Sequence, residues 1–246
     1  MVALIGFSQS ADTLPVLGVF LKPITEEFGW SRSVFTGAIT IGTFLGGLLA
    51  LGVGPSLDRF GGRWSLVVAF AILGSTLVLL AEIGKMWHFY ALLILARSVN
   101  MGIIGLSIQV ITPKWFMRKR GKAVALGGMG SVVGNTVAPL FAQLLISLAG
   151  WRLATATIGI VVWVVTILPI ALFLRRRPED LGLLPDGVAP GPTHQQQTPA
   201  VVAGLQGSGQ ETSFSLRQVL CQPSFYLLTT AVTLTTFAVP PLNLHV

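Results

Sequence analysis

The chain has 246 residues, of which 52% are hydrophobic and 10% are charged, and its mean hydropathy is +0.77. Soluble domains carry about 25% charged residues, so this composition excludes an ordinary soluble protein and favours a membrane protein. The net charge of +7 does not indicate a nucleic-acid partner, because the basic residues are not interleaved with aromatic residues. The single cysteine, Cys221, excludes an intrachain disulfide and a cysteine-based metal cluster.

Seven apolar runs are long enough to cross a bilayer, which requires about 20 residues of helix. The first six lie within residues 1–177 and predict a six-helix bundle. Residues 178–222 are rich in Pro, Gly, Gln, Ser and Thr, which predicts a flexible cytoplasmic linker. Residues 223–246 begin a second bundle with a seventh transmembrane helix, so we expect an all-α membrane protein. The runs are 2–21, 34–54, 65–83, 89–112, 123–149, 153–174 and 225–246.

The distribution of Lys and Arg predicts the orientation of this bundle. With a cytoplasmic N-terminus, eleven basic residues fall in cytoplasmic connections and four fall outside. This excess follows the positive-inside rule, so we expect a multi-pass protein of the bacterial inner membrane with its N-terminus in the cytoplasm. The outer residues are Lys22, Arg32, Lys85 and Arg152, and the cytoplasmic ones are Arg59, Arg63, Lys114, Arg118, Lys119, Arg120, Lys122, Arg175, Arg176, Arg177 and Arg217.

The stretch GPSLDRFGGRW, residues 54–64, is predicted to form the cytoplasmic turn between the second and third spans. Gly54 is expected to let two helices approach closely, and Gly61 and Gly62 to permit a tight reversal. The charges of an isolated turn of this kind are explained by the positive-inside rule alone.

The same turn carries a more specific pattern. It resembles the G-x-x-x-D-R-x-G-R-R motif of the major facilitator superfamily, with Gly62 standing where the family usually has the first of two basic residues. The resemblance implies a bundle of six helices per half and a loop whose charges hold the cytoplasmic side closed when the transporter faces outward. The residues that match the motif are Gly54, Asp58, Arg59, Gly61 and Arg63.

Three further stretches resemble the monocarboxylate transporter and oxalate–formate antiporter branch of that family: GVFLKPITEEFGWSRS, PKWFMRKRGKAVALGGMG and RRRPEDLGLLPDG. Lys122 stands where a Leu is usual, and Ala125 stands where a Gly is usual. The resemblance covers the first half of a twelve-span transporter, so we expect a second six-helix half as a partner and no transport by this chain alone. The entry to the fifth span carries the matching residues Trp115, Phe116, Arg118, Lys119, Arg120 and Ala123.

Two ionisable residues fall inside predicted spans, Asp12 in the first and Arg97 in the fourth. Both lie roughly 14 Å below the outer boundary, where a charge costs at least about 2.5 kcal/mol unless it faces a partner or a wet cavity. Asn100 shares a helical face with Arg97, and Gln9 lies one turn from Asp12. Either Arg97 binds a substrate carboxylate, with Asp12 as its counter-charge or as a proton-coupling acid, or the two form a permanent structural pair.

Other polar and small residues give weaker indications of a function. Asn243 and His245 in the seventh span are further cavity candidates by the resemblance. A stripe of small residues in the fifth span serves either close helix packing or the rocking of helices. It consists of Gly127, Gly130, Gly134 and Ala138.

The function implied by these features is secondary transport of small organic anions, monocarboxylates or dicarboxylates, by alternating access. Protons are a candidate coupling ion, and the bilayer is the surrounding partner. The sequence contains no P-loop, metal cluster or nucleophile constellation, so we expect neither an enzyme nor a cofactor. The alternatives are a proton-coupled exporter of drugs or sugars and a non-transporting membrane sensor or scaffold.

Overall fold

The computed structural model describes residues 2–115, 120–173, 221–231 and 234, without the side chains of 58–60, 111–115, 120, 123 and 173. The chain divides into two compact units, Met1–Pro190 and Gly191–Val246. In the second unit, residues 223–231 are helical. The predicted linker falls almost entirely outside the described residues, as does most of the predicted seventh span.

The described part of the first unit consists of helices and short connections, so the predicted all-α membrane fold is confirmed. Within it, five helical stretches are long and apolar enough to cross a membrane. The stretch Val124–Leu172 has 49 residues, about 73 Å of helix, and the backbone breaks at Gly150 with φ 80° and ψ 164°. It therefore supplies two crossings, in agreement with the predicted fifth and sixth spans. The five stretches are Val2–Phe28, Arg32–Leu57, Gly62–Leu80, Met86–Val110 and Val124–Leu172.

In this described part of the chain we number eight α-helices, joined in places by tighter or wider helical turns. A 3₁₀ turn covers Ser10–Asp12, and π-helical segments cover Asn100–Gly105 and Trp163–Ile167. The helices are α1 Val2–Gln9, α2 Leu14–Phe28, α3 Arg32–Phe60, α4 Gly62–Leu80, α5 Met86–Val99, α6 Leu106–Trp115, α7 Arg120–Val162 and α8 Leu168–Phe173.

The first span is broken in its middle, which the sequence pattern does not predict. Thr13 is extended, with φ −94° and ψ 161°, and its N–H donates to Ser10 O at 3.1 Å. Pro15 lies in the first turn of α2, where its missing N–H is tolerated, whereas in one continuous helix its ring would clash with the preceding turn. The first span also continues to Phe28 instead of ending near residue 21, because the polar last turns of α2 remain helical.

The turn between the second and third spans is shorter than predicted. Helix α3 continues through Pro55 to Phe60, and only Gly61 leaves the helical conformation, with φ 79° and ψ 157°. Charged side chains do not end a helix, whereas a positive φ strongly favours glycine. Among the described residues, a Cβ on Gly54 would meet nothing within 4 Å, so the close approach expected at Gly54 stays a prediction.

Glycines set the closest helix contacts of the bundle. A Cβ on Gly130 of α7 would collide with the backbone carbonyl of Ala3 in α1. A Cβ on Gly134 would lie 2.9 Å from the carbonyl oxygen of Phe7, so the predicted small-residue stripe packs against the first span. In the same way, a Cβ on Gly102 would lie 2.6 Å from the carbonyl oxygen of Gly46, so these glycines let α3 pack closely against the fourth span.

Arg152 ties helix ends together at the end of the bundle away from Gly61. Its guanidinium donates to the carbonyl oxygens of Ala81 at 2.8 Å and Ile83 at 3.1 Å, just after α4. It also pairs with the Glu27 carboxylate in the last turn of α2 at 2.8 Å. The arginine therefore satisfies carbonyls of the connection that follows α4 and neutralises an acid on a neighbouring helix.

Candidate functional site

The break in the first span creates the centre of the candidate site, because it leaves backbone carbonyls without their helical partners. The Asn100 amide nitrogen Nδ2 donates to Gln9 O at 3.2 Å and to Asp12 O at 3.3 Å. It also lies 3.1 Å from the Asp12 carboxylate oxygen Oδ2. Inside a bilayer every backbone polar group needs a protein partner, and this one amide side chain satisfies two carbonyls at the break.

Arg97 supplies the second set of donors. Its Nη1 donates to Asp12 O at 2.5 Å and lies 3.7 Å from Asp12 Oδ2. Its Nε donates to Thr43 Oγ1 at 3.2 Å, which connects the fourth span to α3. The side chains of Arg97 and Asp12 are 6% and 0% exposed, so the ion pair is buried.

Burial makes the charge balance of this pair important. Removing two charges from water costs several kcal/mol per ion, and their attraction offsets this cost only with good geometry and further hydrogen bonds. Asn100 and Thr43 provide such bonds. Among the described residues, Asp12 Oδ1 and Asn100 Oδ1 have no hydrogen-bond partner. The cluster therefore retains two buried acceptor oxygens that could bind a donor.

The fourth span presents Arg97 and Asn100 from the junction between α5 and the π-helical segment Asn100–Gly105. A π-helical turn widens a helix, and such turns occur frequently at functional sites. Ser98 donates to the carbonyl oxygen of Gly42 at 3.0 Å, which anchors the junction on α3. Ser107, two turns further along, is buried, and its hydroxyl has no partner among the described residues.

The structure brings together four of the residues predicted from the sequence to form the cavity. Asp12, Arg97 and Asn100 meet through their side chains, whereas Gln9 contributes its backbone carbonyl to Asn100. The two remaining cavity candidates, Asn243 and His245, lie outside the described residues.

The motif residues lie away from this cluster, at the C-terminal end of α3 and the start of α4. Gly61 forms the turn, and Arg63 donates through Nη2 to the carbonyl oxygen of Ala171 in the last turns of α8. This contact places a cation at the negative end of a helix dipole. Asp58 and Arg59 are helical, and their side chains are outside the described part of the chain.

Two site residues, Thr43 and Ser98, were not predicted from the sequence. Thr43 also donates to Ile39 O at 2.8 Å, one turn earlier in its own helix. Hydroxyl groups in transmembrane helices commonly bond in this way, so an isolated Thr or Ser in an apolar run is weak evidence of a site. The sequence feature that could have identified Thr43 is the Gly42–Thr43 pair. A glycine lets a neighbouring helix come close, so that the adjacent polar side chain can reach it.

The described residues contain no group of three or more His, Cys, Asp or Glu side chains that could hold a metal ion. The arrangement is instead a buried guanidinium, a carboxylate and an amide at a helix break, which can bind a charged group by hydrogen bonds. Charged residues inside transmembrane bundles commonly mark substrate or ion pathways.

These features define a polytopic α-helical membrane protein with an ion pair inside its first bundle. The chain belongs to the Major Facilitator Superfamily, whose family model matches residues 1–244. It is 27% identical over 139 residues to "Probable anion transporter 3, chloroplastic" from Oryza sativa subsp. japonica, and 31% identical over 140 residues to "Probable anion transporter 4, chloroplastic" from the same plant. Each match covers 55% of this chain but only 26% and 23% of the two rice proteins.

Proposed function

We propose that this chain forms the first half of a secondary transporter that moves small organic anions, monocarboxylates or dicarboxylates, by alternating access. The observation that carries the proposal is the buried Arg97 guanidinium at the break of the first span. The anion transporters named above support an anionic substrate, and the stretches that resemble the monocarboxylate and oxalate–formate branch support a carboxylate.

In the proposed mechanism, a substrate carboxylate competes with Asp12 for Arg97. The guanidinium has five N–H donors, and its hydrogen bonds to Thr43 and Asp12 use two of them among the described residues. Arginine suits this role because its planar fork binds a carboxylate through two parallel hydrogen bonds. Asp12 then acts as the counter-charge that holds Arg97 in place when no substrate is bound.

The proposed setting is the bacterial inner membrane with the N-terminus in the cytoplasm, as the excess of basic residues at the Gly61 end favours. In this orientation the Gly61 turn and the motif residues beside it face the cytoplasm, and the motif charges act as a latch that keeps that side closed. The contact of Arg63 with Ala171 fixes the position of this turn within the first bundle, because it joins the third span to the sixth.

Uptake of radiolabelled carboxylates by cells that express this chain together with a second six-helix half tests the proposal. We expect saturable uptake that unlabelled mono- or dicarboxylates inhibit. Arg97→Ala should abolish it, and Arg97→Lys should weaken substrate affinity because an ammonium cannot make the bidentate contact. Lys22→Ala is the matched control, because that lysine is 81% exposed and pairs weakly with Glu26 at 3.9 Å.

Protein levels in the membrane are measured for each variant, so that a failure to fold is separated from a loss of binding. Uptake by Arg97→Ala at the wild-type rate and affinity would overturn the role of Arg97. Uptake that drugs or sugars inhibit and carboxylates do not would favour an exporter-type substrate. The absence of any substrate-dependent flux would favour a sensor or scaffold.

A further inference from the structure

An apolar pocket of about 260 Å³ lies between the first span and the two halves of α7. Its inner wall includes Ser10 and Ala11 of the 3₁₀ turn, which are 2% and 7% exposed. Its rim contains three α7 side chains that are exposed on the outside of the bundle. They are Val137 at 44%, Phe141 at 41% and Val161 at 37%.

The polar atoms of the pocket wall are already bonded. The Ser10 hydroxyl donates to Phe7 O at 2.5 Å, and the Ser8 hydroxyl accepts from Thr166 at 2.5 Å. The remaining lining residues are alanine, valine, isoleucine and phenylalanine. The pocket therefore offers almost no hydrogen bonds to water, and an apolar cavity of roughly 150 Å³ already binds benzene and excludes water.

The depth of the pocket indicates what fills it. Val161 lies eleven residues after the break at Gly150, which corresponds to about 16 Å along the helix. The hydrocarbon core is about 30 Å thick, so the rim is near its middle. At this depth a rim that is open on the outside of the first bundle meets the methylene groups of lipid tails, far from lipid headgroups, wherever the second half of the transporter does not cover it.

We propose that the acyl chain of a membrane phospholipid inserts into this pocket and packs against the 3₁₀ turn of the first span. Ser10 and Ala11 contact the acyl chain, and the next residue, Asp12, pairs with Arg97. One short turn thus lies between a lipid site and the buried ion pair. This lipid site is independent of the anion substrate and goes beyond the proposed function.

Photo-crosslinking in lipid nanodiscs tests the proposal on the full chain. The probe is phosphatidylcholine that carries a diazirine in the middle of one acyl chain, at low mole fraction in unlabelled phosphatidylcholine. After irradiation, mass spectrometry of peptides locates the adducts. We expect adducts to be enriched at 137–141 and 158–165 relative to other exposed apolar positions, such as Leu148 and Leu153 at 74% and 61% exposure.

Val161→Trp should block the rim and remove most adducts from the pocket, without changing those at Leu148 and Leu153. Val164→Trp is the matched control, because Val164 is 58% exposed one turn away and does not line the pocket. A second variant, Ala138→Phe, fills the pocket from its wall and should also remove the adducts. Circular dichroism and a monodisperse elution profile show which variants are folded.

Uniform labelling of all exposed apolar positions would overturn the proposal. Equal labelling of the Val161→Trp and Val164→Trp variants would overturn it as well. A parallel sample with a diazirine-labelled free fatty acid at the same mole fraction separates the two sources of acyl chain. Stronger pocket labelling by the free fatty acid than by the phospholipid would reject the phospholipid as the occupant.

Discussion

At Asp12, the carboxylate and the backbone carbonyl of one residue face the same two donors, Arg97 and Asn100. The carbonyl is available because the helix breaks there, and the carboxylate offsets the positive charge of Arg97. A neutral residue at this position would keep the carbonyl but would leave the buried Arg97 without its counter-charge. This double use explains why the break and the ion pair occur at the same position.

The buried pair predicts a non-additive effect on stability. Asp12→Leu should lower the free energy of unfolding by about 3–5 kcal/mol, because it leaves Arg97 buried without its counter-charge. Asp12→Leu/Arg97→Leu should recover part of this loss, since no uncompensated charge remains. Unfolding in detergent micelles, followed by circular dichroism, measures both variants.

The control for this pair is Glu26→Gln, which removes an exposed acid that lies 3.9 Å from Lys22. This substitution should not change the free energy of unfolding measurably. A double variant less stable than Asp12→Leu alone would contradict the assignment of Arg97 as the uncompensated charge.

At the scale of elements, helix packing depends on which face of a helix each glycine occupies. Gly128 and Gly130 are two residues apart in α7, yet a Cβ on Gly130 would collide with the Ala3 carbonyl, and one on Gly128 would meet nothing within 4 Å. Helix α1 makes its closest approach to α7 on the face that carries Gly127, Gly130 and Gly134. The contact also holds α1 in position just before the break.

This asymmetry predicts opposite signs for two identical substitutions. Gly130→Ala should destabilise the bundle by about 1–3 kcal/mol, because a backbone carbonyl cannot move aside as a side chain can. Gly128→Ala should be neutral or stabilising by up to about 1 kcal/mol, because alanine favours helix. Thermal unfolding in micelles measures both, and equal effects would contradict the close contact between α1 and α7.

At the scale of the whole molecule, the two ends of the first bundle have different chemistry. One end holds the Arg152–Glu27 pair and the turn at Gly150, and the other holds Gly61 and the contact of Arg63 with α8. The proposed orientation places the Gly61 end in the cytoplasm.

Cysteine accessibility tests this orientation with two glycines that are exposed and would each accept a Cβ without a contact within 4 Å. In a Cys221→Ser background, Gly84→Cys should react with a membrane-impermeant maleimide in intact bacterial cells. Gly121→Cys should react only after the membrane is permeabilised. The third and fourth spans lie between Gly61 and Gly121, so both glycines are expected on the cytoplasmic side. The reverse pattern would place the N-terminus outside.

Much of the fold could be predicted from the sequence, because the length and hydropathy of each run set the number of crossings. Asp12, Arg97 and Asn100 could also be identified, since polar groups inside apolar runs need partners. The break at residues 10–13 could not, because Pro15 is compatible with either a kink or a restart of the helix. The side-chain roles of Asp58 and Arg59 remain predictions.

The sequence by itself determined the membrane class, the spans and the ionisable residues inside them, because the cost of burying charge depends mainly on position along an apolar run. Only the tertiary structure decided that Arg97 and Asn100 meet the carbonyls of a broken helix, and that Thr43 joins them. Such contacts depend on which helix faces are close, which is set by glycines many residues apart. The apolar pocket beside the same break is likewise a product of packing, since its walls come from helices distant in sequence.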